Sequence, residues 1–284
     1  MITTVLSGLF RQGTTLIWWL AKLSNPNKLH LYEPCHEDLF KKLETWEKGK
    51  RDNMHGKPLW DDYLEIPPEH LEIMRKYHRD FRVTLDFTNV IDYLDAIERI
   101  PAEIVIQPNR WSMILLDIKL RYQAETIQIV RNPIDTWIDH FTIDALKDEN
   151  RFWKKSLEKT SDDPFFTDLI YNALAERYGF PKSIPLLEQF AVVWTLHNYF
   201  GIVGSDVVIN FDKLILDPER YLRWLNYRLK TIRFNPNYAD IVIQMEYGKF
   251  PRYRRMIKHV IETTVYDFGL DRFYDKVIDA MNST

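Results

Sequence analysis

The chain has 284 residues, with 38 Lys and Arg against 41 Asp and Glu and a formal net charge of −3, a balance that gives no global case for nucleic-acid binding. A single cysteine, Cys35, excludes an intramolecular disulfide and fits a reducing compartment. The N-terminal apolar stretch lacks a basic start, and no run of about 18 apolar residues occurs, so the expectation is a cytoplasmic chain without a membrane span.

In chain order, "ITTVLSG" (Ile2–Gly8) reads as a strand and "TTLIWWLAKLS" as a helix that ends near Asn25-Pro26. Leu29–Pro34, Arg82–Phe87, Ala102–Pro108, Glu125–Pro133 and Ser205–Leu214 read as further strands. Continuous apolar runs alternating with helical patterns predict an α/β fold of three layers with a mostly parallel central sheet, to which the Gly-bounded first loop adds the expectation of a P-loop-type nucleotide site. Residues 41–80 and 148–185 are polar and aromatic-rich and break the rhythm; they read as helical insertions into one domain spanning 1–284. Ligands of such sheets bind beyond the carboxyl ends of the strands. That places Arg11, Glu33, Asp86, Gln107, Arg131 and Asp212 around one cleft.

The loop after the first strand, "SGLFRQGTT", has the Gly-x-x-x-x-Gly spacing of a phosphate-binding loop at Gly8 and Gly13, but Thr14 stands where a Walker lysine belongs. Strand, loop and helix together make an anion site from backbone N–H groups, to which Arg11 adds a forked cation and Thr14 and Thr15 add hydroxyls. The plain alternative is an ordinary strand–turn–helix corner. "IVRNP" places Arg131 at a strand end and Pro133 at a helix start, a second candidate anion site. Its structural alternative is an arginine paired with Asp135 or Asp139.

These residues resemble the sulfotransferases that use 3′-phosphoadenosine 5′-phosphosulfate (PAPS). "RQGTTL" looks like that family's 5′-phosphosulfate loop and "IVRNP" like its 3′-phosphate motif. "LYEP" (Leu31–Pro34) resembles the Glu-Pro that ends the second strand in several members, and Val207–Leu229 its late strand and helix. The resemblance implies a donor, PAPS, held by Arg11, Gln12, Gly13, Thr14, Thr15 and Leu16 at one end and by Arg131 at the other. It also implies adenosine 3′,5′-bisphosphate as product, no metal, and direct in-line transfer to a small-molecule or glycan hydroxyl; a homodimer is compatible with it.

Departures from the pattern are Asp139, where the family has a serine ligand eight residues after the motif arginine, and the absent Lys-Gly-x-x-Gly. Thr142 or the basic segment "KFPRYRR", with Lys249, Arg252, Arg254 and Arg255, stands as a substitute 3′-phosphate ligand. The Lys-Thr-His motif is replaced by "VIQPNR", where Asn109 and Arg110 are candidates for the sulfuryl oxygens. Glu33 is the first candidate base and His36 the second. Cys35 and Trp18 read as packing residues, and His36-Glu37 lacks the second histidine of a zinc motif because position 40 is Phe. The rival expectations are a P-loop kinase or phosphatase using Asp86 for Mg²⁺, and a catalytically degenerate binding protein of the same fold.

Overall fold

The computed structural model describes residues 1–79, 81, 85–109, 111–142, 144–159, 179, 181, 184–242 and 250–284. Its centre is a five-stranded, all-parallel sheet. The strands are β1 (Ile2–Gly8), β2 (Leu29–Tyr32), β3 (Ile104–Gln107), β4 (Glu125–Val130) and β5 (Val207–Asn210). They lie in the order β2-β3-β1-β4-β5, with Val5 of β1 in register with Ile106 on one side and Thr126 on the other. Almost every strand residue is buried, as a parallel sheet covered on both faces requires.

The flanking helices are α1 (Thr14–Ser24), α2 (Leu39–Glu44), α3 (Pro68–Tyr77), α4 (Ile91–Glu98), α5 (Leu115–Tyr122) and α6 (Pro133–Trp137). They continue as α7 (Glu149–Leu157), α8 (Leu186–Gly204), α9 (Phe211–Leu216), α10 (Pro218–Arg228), α11 (Pro251–Asp267) and α12 (Asp271–Ser283). The result is the predicted three-layer α/β architecture. Helix α1 buries Ile17, Trp18, Leu20 and Ala21 and stops where the Asn25 side-chain amide donates to the Ala21 carbonyl at 2.7 Å, just before Pro26. Helix α8 is buried almost all round and packs on β1, β4, α11 and α12. Trp18 and Cys35 are both core residues. Among the described residues, no helix is long and apolar enough to cross a membrane.

Of the predicted strand Arg82–Phe87, residues 82–84 lie outside the described residues; at its end Phe87 opens a 3₁₀ turn capped by the Asp86 carboxylate, which accepts from the Thr88 N–H at 3.0 Å. One predicted strand is corrected. The last strand stops at Asn210, whose side chain accepts from the N–H groups of Asp212 and Lys213, so Asp212 belongs to α9. Of the second insertion, α7 is described and residues 160–178 lie outside the described residues.

The order of the strands locates the cleft. From β1 the chain turns to β2 on one side of the sheet; from β4 it turns to β5 on the other. Adjacent strands whose exits diverge leave a crevice beyond their carboxyl ends, here between the loop after Gly8 and the turn after Val130.

Burial holds two histidines neutral. His197 in α8 is pushed down from 6.5 to about 3, the Asn109 backbone partly opposing, and His30 in β2 is pushed down to about 4 by burial, opposed by the Asn25 carbonyl. In the unfolded chain both take a proton near 6.5, so below that pH the unfolded state binds more protons and stability falls as pH drops. The unfolding free energy is expected to decline between pH 6.5 and 5 by up to about 1.4 kcal/mol per pH unit for each histidine. Urea titrations across that range, repeated for His197→Gln, should show a shallower decline in the variant; an unchanged slope refutes the assignment.

Candidate functional site

The first loop is shaped by close packing. Gly13 has φ +86°, and a Cβ there would lie 2.1 Å from the Phe211 ring; a Cβ on Gly8 would lie 2.7 Å from Thr14 Cγ2. The glycine spacing therefore lets the loop settle between β4 and α9. Gln12 is fully buried and accepts from the Leu9 N–H at 2.8 Å, bracing the loop from inside; it lines neither cavity described below. Arg11 takes the left-handed conformation, φ +60°, with an exposed side chain. Helix α1 starts without a side-chain cap and without an acidic residue in its first turn, so its leading N–H groups have no partner within the helix.

Two adjoining cavities open here. The larger, about 480 Å³, is lined by Arg11, Gly13, Thr14, Thr15 and Leu16 from the loop and α1, and by Arg131, Asp139 and Phe211 from the other side of the crevice. Met54, His55, Lys57 and Ile241 complete it. The second, about 310 Å³, contains Tyr32, Glu33, His36, Lys42, Asp52, Trp60, Asn109 and His140. Arg11, Thr14, Thr15, Met54 and His55 line both.

Glu33 follows β2 in a left-handed conformation, φ +41°. Its carboxylate accepts from the Asn109 amide, whose carbonyl accepts from the Gln107 amide at the end of β3. This relay fixes both amide orientations and aims Glu33 into the second cavity. Next to it, Tyr32 and Thr15 share a hydroxyl contact of 2.9 Å. Burial, and then the Glu33 charge, push the Tyr32 phenol well above its usual range, so it stays protonated. His36 Nδ1 accepts from the Asp38 N–H at 3.0 Å, which puts the proton of a neutral ring on Nε2.

Arg131 is 4% exposed. One of its amino groups donates to the Arg11 carbonyl at 2.9 Å and to the Asp139 carboxylate, and its Nε lies 3.9 Å from Asp212 Oδ1. The Asn132 N–H beside it donates to Asp212 at 2.7 Å. Both donors of the second predicted anion site are thus met by carboxylates of the chain. Asp139 sits where α6 widens into a π turn, Ile138–Thr142.

Other predicted residues lie apart. Arg252 pairs with Glu149 at 2.9 Å, Arg254 makes a two-pronged pair with Asp135, and neither lines a cavity; Thr142 is fully buried. A carboxylate within reach of each arginine takes up the charge that the sequence reading assigned to a phosphate. Asp86 lines neither cavity and caps its own turn. Arg110 and Lys249 lie outside the described residues.

Sequence reasoning missed His55, Lys57 and Tyr32. The carboxylate of Asp52 accepts from the N–H groups of Met54 and His55 at 2.9 Å each, and its backbone N–H donates to the Lys57 carbonyl at 2.8 Å. This tight turn, signalled by "DNMHGK", brings His55 and Lys57 to the loop. Burial lowers the His55 pKa, Asp52 opposing and Arg11 assisting. Among the described residues neither Arg11 nor Lys57 has a carboxylate partner; Lys57 lies 5.3 Å from the Trp19 ring centre.

No family model matches this chain. It is 26% identical over 295 aligned positions, covering 92% of this chain and 93% of the other, to an uncharacterized protein of Archaeoglobus fulgidus.

Gly13→Ala combines an alanine in the left-handed region with overlap against Phe211. It is expected to lower the unfolding free energy by about 2 kcal/mol or more, read as a drop in the urea midpoint with an unchanged slope. A variant as stable as the parent overturns this account of the loop.

Proposed function

We propose that this chain is a sulfotransferase. It moves a sulfuryl group from the phosphosulfate end of an adenosine nucleotide, PAPS in the family it resembles, to the hydroxyl of a small molecule or glycan. The observation that carries the reading is the pair of adjoining cavities joined at Arg11, Thr14 and Thr15, one rich in phosphate donors and the other holding an oriented carboxylate.

In this reading the leading N–H groups of α1, the Thr14 and Thr15 hydroxyls, Arg11 and Lys57 hold the phosphosulfate. Leu16, Met54, Phe211 and Ile241 offer apolar surface to the base. Glu33 takes the acceptor proton as the acceptor oxygen bonds to sulfur. The sulfur–oxygen bond to the phosphate breaks, and its electron pair leaves with the nucleotide. Arg11, shared by both cavities, stabilises the charge that develops on that leaving oxygen. Trp60, Phe10 and His140 form aromatic walls for the acceptor beside Asp52 and Lys42.

The left-handed conformations of Arg11 and Glu33 support the same reading. Non-glycine residues held there cost of order 1–3 kcal/mol each, and here two of them flank the two cavities. Arg11→Ala is expected to weaken AMP binding at least tenfold by calorimetry. Glu33→Gln should keep AMP affinity within about twofold and lose at least a hundredfold in sulfuryl transfer, the scale of general-base catalysis, measured with radiolabelled donor and a panel of sugars and phenols. Unchanged AMP affinity in Arg11→Ala overturns the donor site, and full turnover in Glu33→Gln overturns the base.

A further inference from the structure

We propose that the nucleotide this site selects carries an unmodified ribose 3′-hydroxyl in place of a 3′-phosphate, read by Asp139 together with Arg131. The inference rests on the donor reading of the first loop and specifies the other end of that ligand.

A ribose phosphate bound in this crevice needs a cation with hydrogen-bonding capacity to spare. Arg131 faces two carboxylates, Asp139 and Asp212, and also donates to the Arg11 carbonyl. The adjacent helix N-terminus is met by Asp212 through the Asn132 N–H. The single guanidinium is thus outnumbered by carboxylates before any ligand arrives, and a phosphate entering beside Asp139 adds a further anion. Among the described residues, Arg252 and Arg254 of the basic segment are paired with Glu149 and Asp135.

A hydroxyl fits the same arrangement. It donates to a carboxylate and accepts from a guanidinium, and Asp139 and Arg131 line the cleft side by side. Nucleotide sites elsewhere divide labour the same way: a carboxylate reads a bare ribose hydroxyl, whereas an arginine without a carboxylate neighbour accommodates a ribose phosphate. Asp139 is a quarter exposed and Arg131 almost wholly buried, so the carboxylate is the member of the pair more open to a ligand. Among the described residues lining the first cavity, Arg11 and Lys57 have no carboxylate partner and remain for the 5′ end.

Calorimetric titration of AMP and of adenosine 3′,5′-bisphosphate into the parent, Asp139→Asn, Asp139→Ser and Arg11→Ala tests this. The parent is expected to bind AMP at least tenfold more tightly than the bisphosphate. Removing the charge in either Asp139 variant should narrow or reverse that preference by at least tenfold; the isosteric Asn variant keeps the shape of the turn, and far-ultraviolet circular dichroism checks the fold. A parent that binds the bisphosphate more tightly than AMP, both responding to Arg11→Ala, overturns the hydroxyl assignment and leaves the donor reading standing. A preference for AMP that is unchanged in both Asp139 variants also overturns it. Binding of neither nucleotide overturns the donor reading and this inference with it.

Discussion

A buried guanidinium organises this molecule. Arg131 stands at the end of β4, 4% exposed, where an ionised group without partners costs several kcal/mol. Its partners come from three separate elements: the Arg11 carbonyl in the loop after β1, Asp139 in the π turn after α6, and Asp212 in the first turn of α9. The Phe211 ring, 5.6 Å from the guanidinium carbon, covers a further side and also presses on Gly13. Satisfying this one cation therefore ties together the loop, the crevice wall and the helix beyond β5. It also accounts for the backbone of Arg11. In the left-handed conformation that residue turns its carbonyl inward to Arg131 while its side chain stays in the open cleft. A structural arginine thereby sets the position of an exposed one that lines the cleft.

The second cavity depends on a second chain of dependence, of hydrogen bonds between amides and Glu33. Gln107 ends β3, Asn109 follows it, and Glu33 follows the neighbouring β2, so the parallel register of β2 and β3 brings the relay together. Glu33 is held by the Asn109 amide, while Tyr32 beside it remains a neutral phenol bonded to Thr15. The first loop and the residue before Glu33 are thus connected through two hydroxyls. The first cavity carries Arg11, Lys57 and the Arg131–Asp139 pair, the second Glu33, Asp52 and Lys42, with Arg11 at the boundary.

Local pattern made β1 to β4 readable, because buried parallel strands are short apolar runs bounded by turn residues. The same signal misled at Ser205–Leu214, where apolar residues continue past Asn210 but an asparagine side chain caps a helix. Arg11, Glu33 and Arg131 were legible because strand ends in such sheets converge. The state of Arg131 was not, since choosing between a ligand phosphate and Asp139 requires the geometry of the π turn. Arg252 and Arg254 looked available because their carboxylate partners, Glu149 and Asp135, lie more than a hundred residues earlier. His55 and Lys57 were hidden for the opposite reason. Their turn is local and readable, but nothing in the sequence says which part of the sheet it packs against.

The missing Walker lysine can be explained in the same terms. A lysine on the first helix brings a cation to a phosphate from within the loop's own strand–helix unit. Here that position is Thr14, 3% exposed. The cations come instead from Arg11, fixed by its carbonyl's bond to Arg131, and from Lys57, carried by the Asp52 turn of an insertion. Neither depends on the helix. The positive charge of this cleft is therefore assembled by tertiary contacts, and it needs both the segment around residues 52–57 and the buried Arg131 cluster in place. A loop that looks degenerate in one dimension becomes, in three, a site whose charge is supplied from its neighbours.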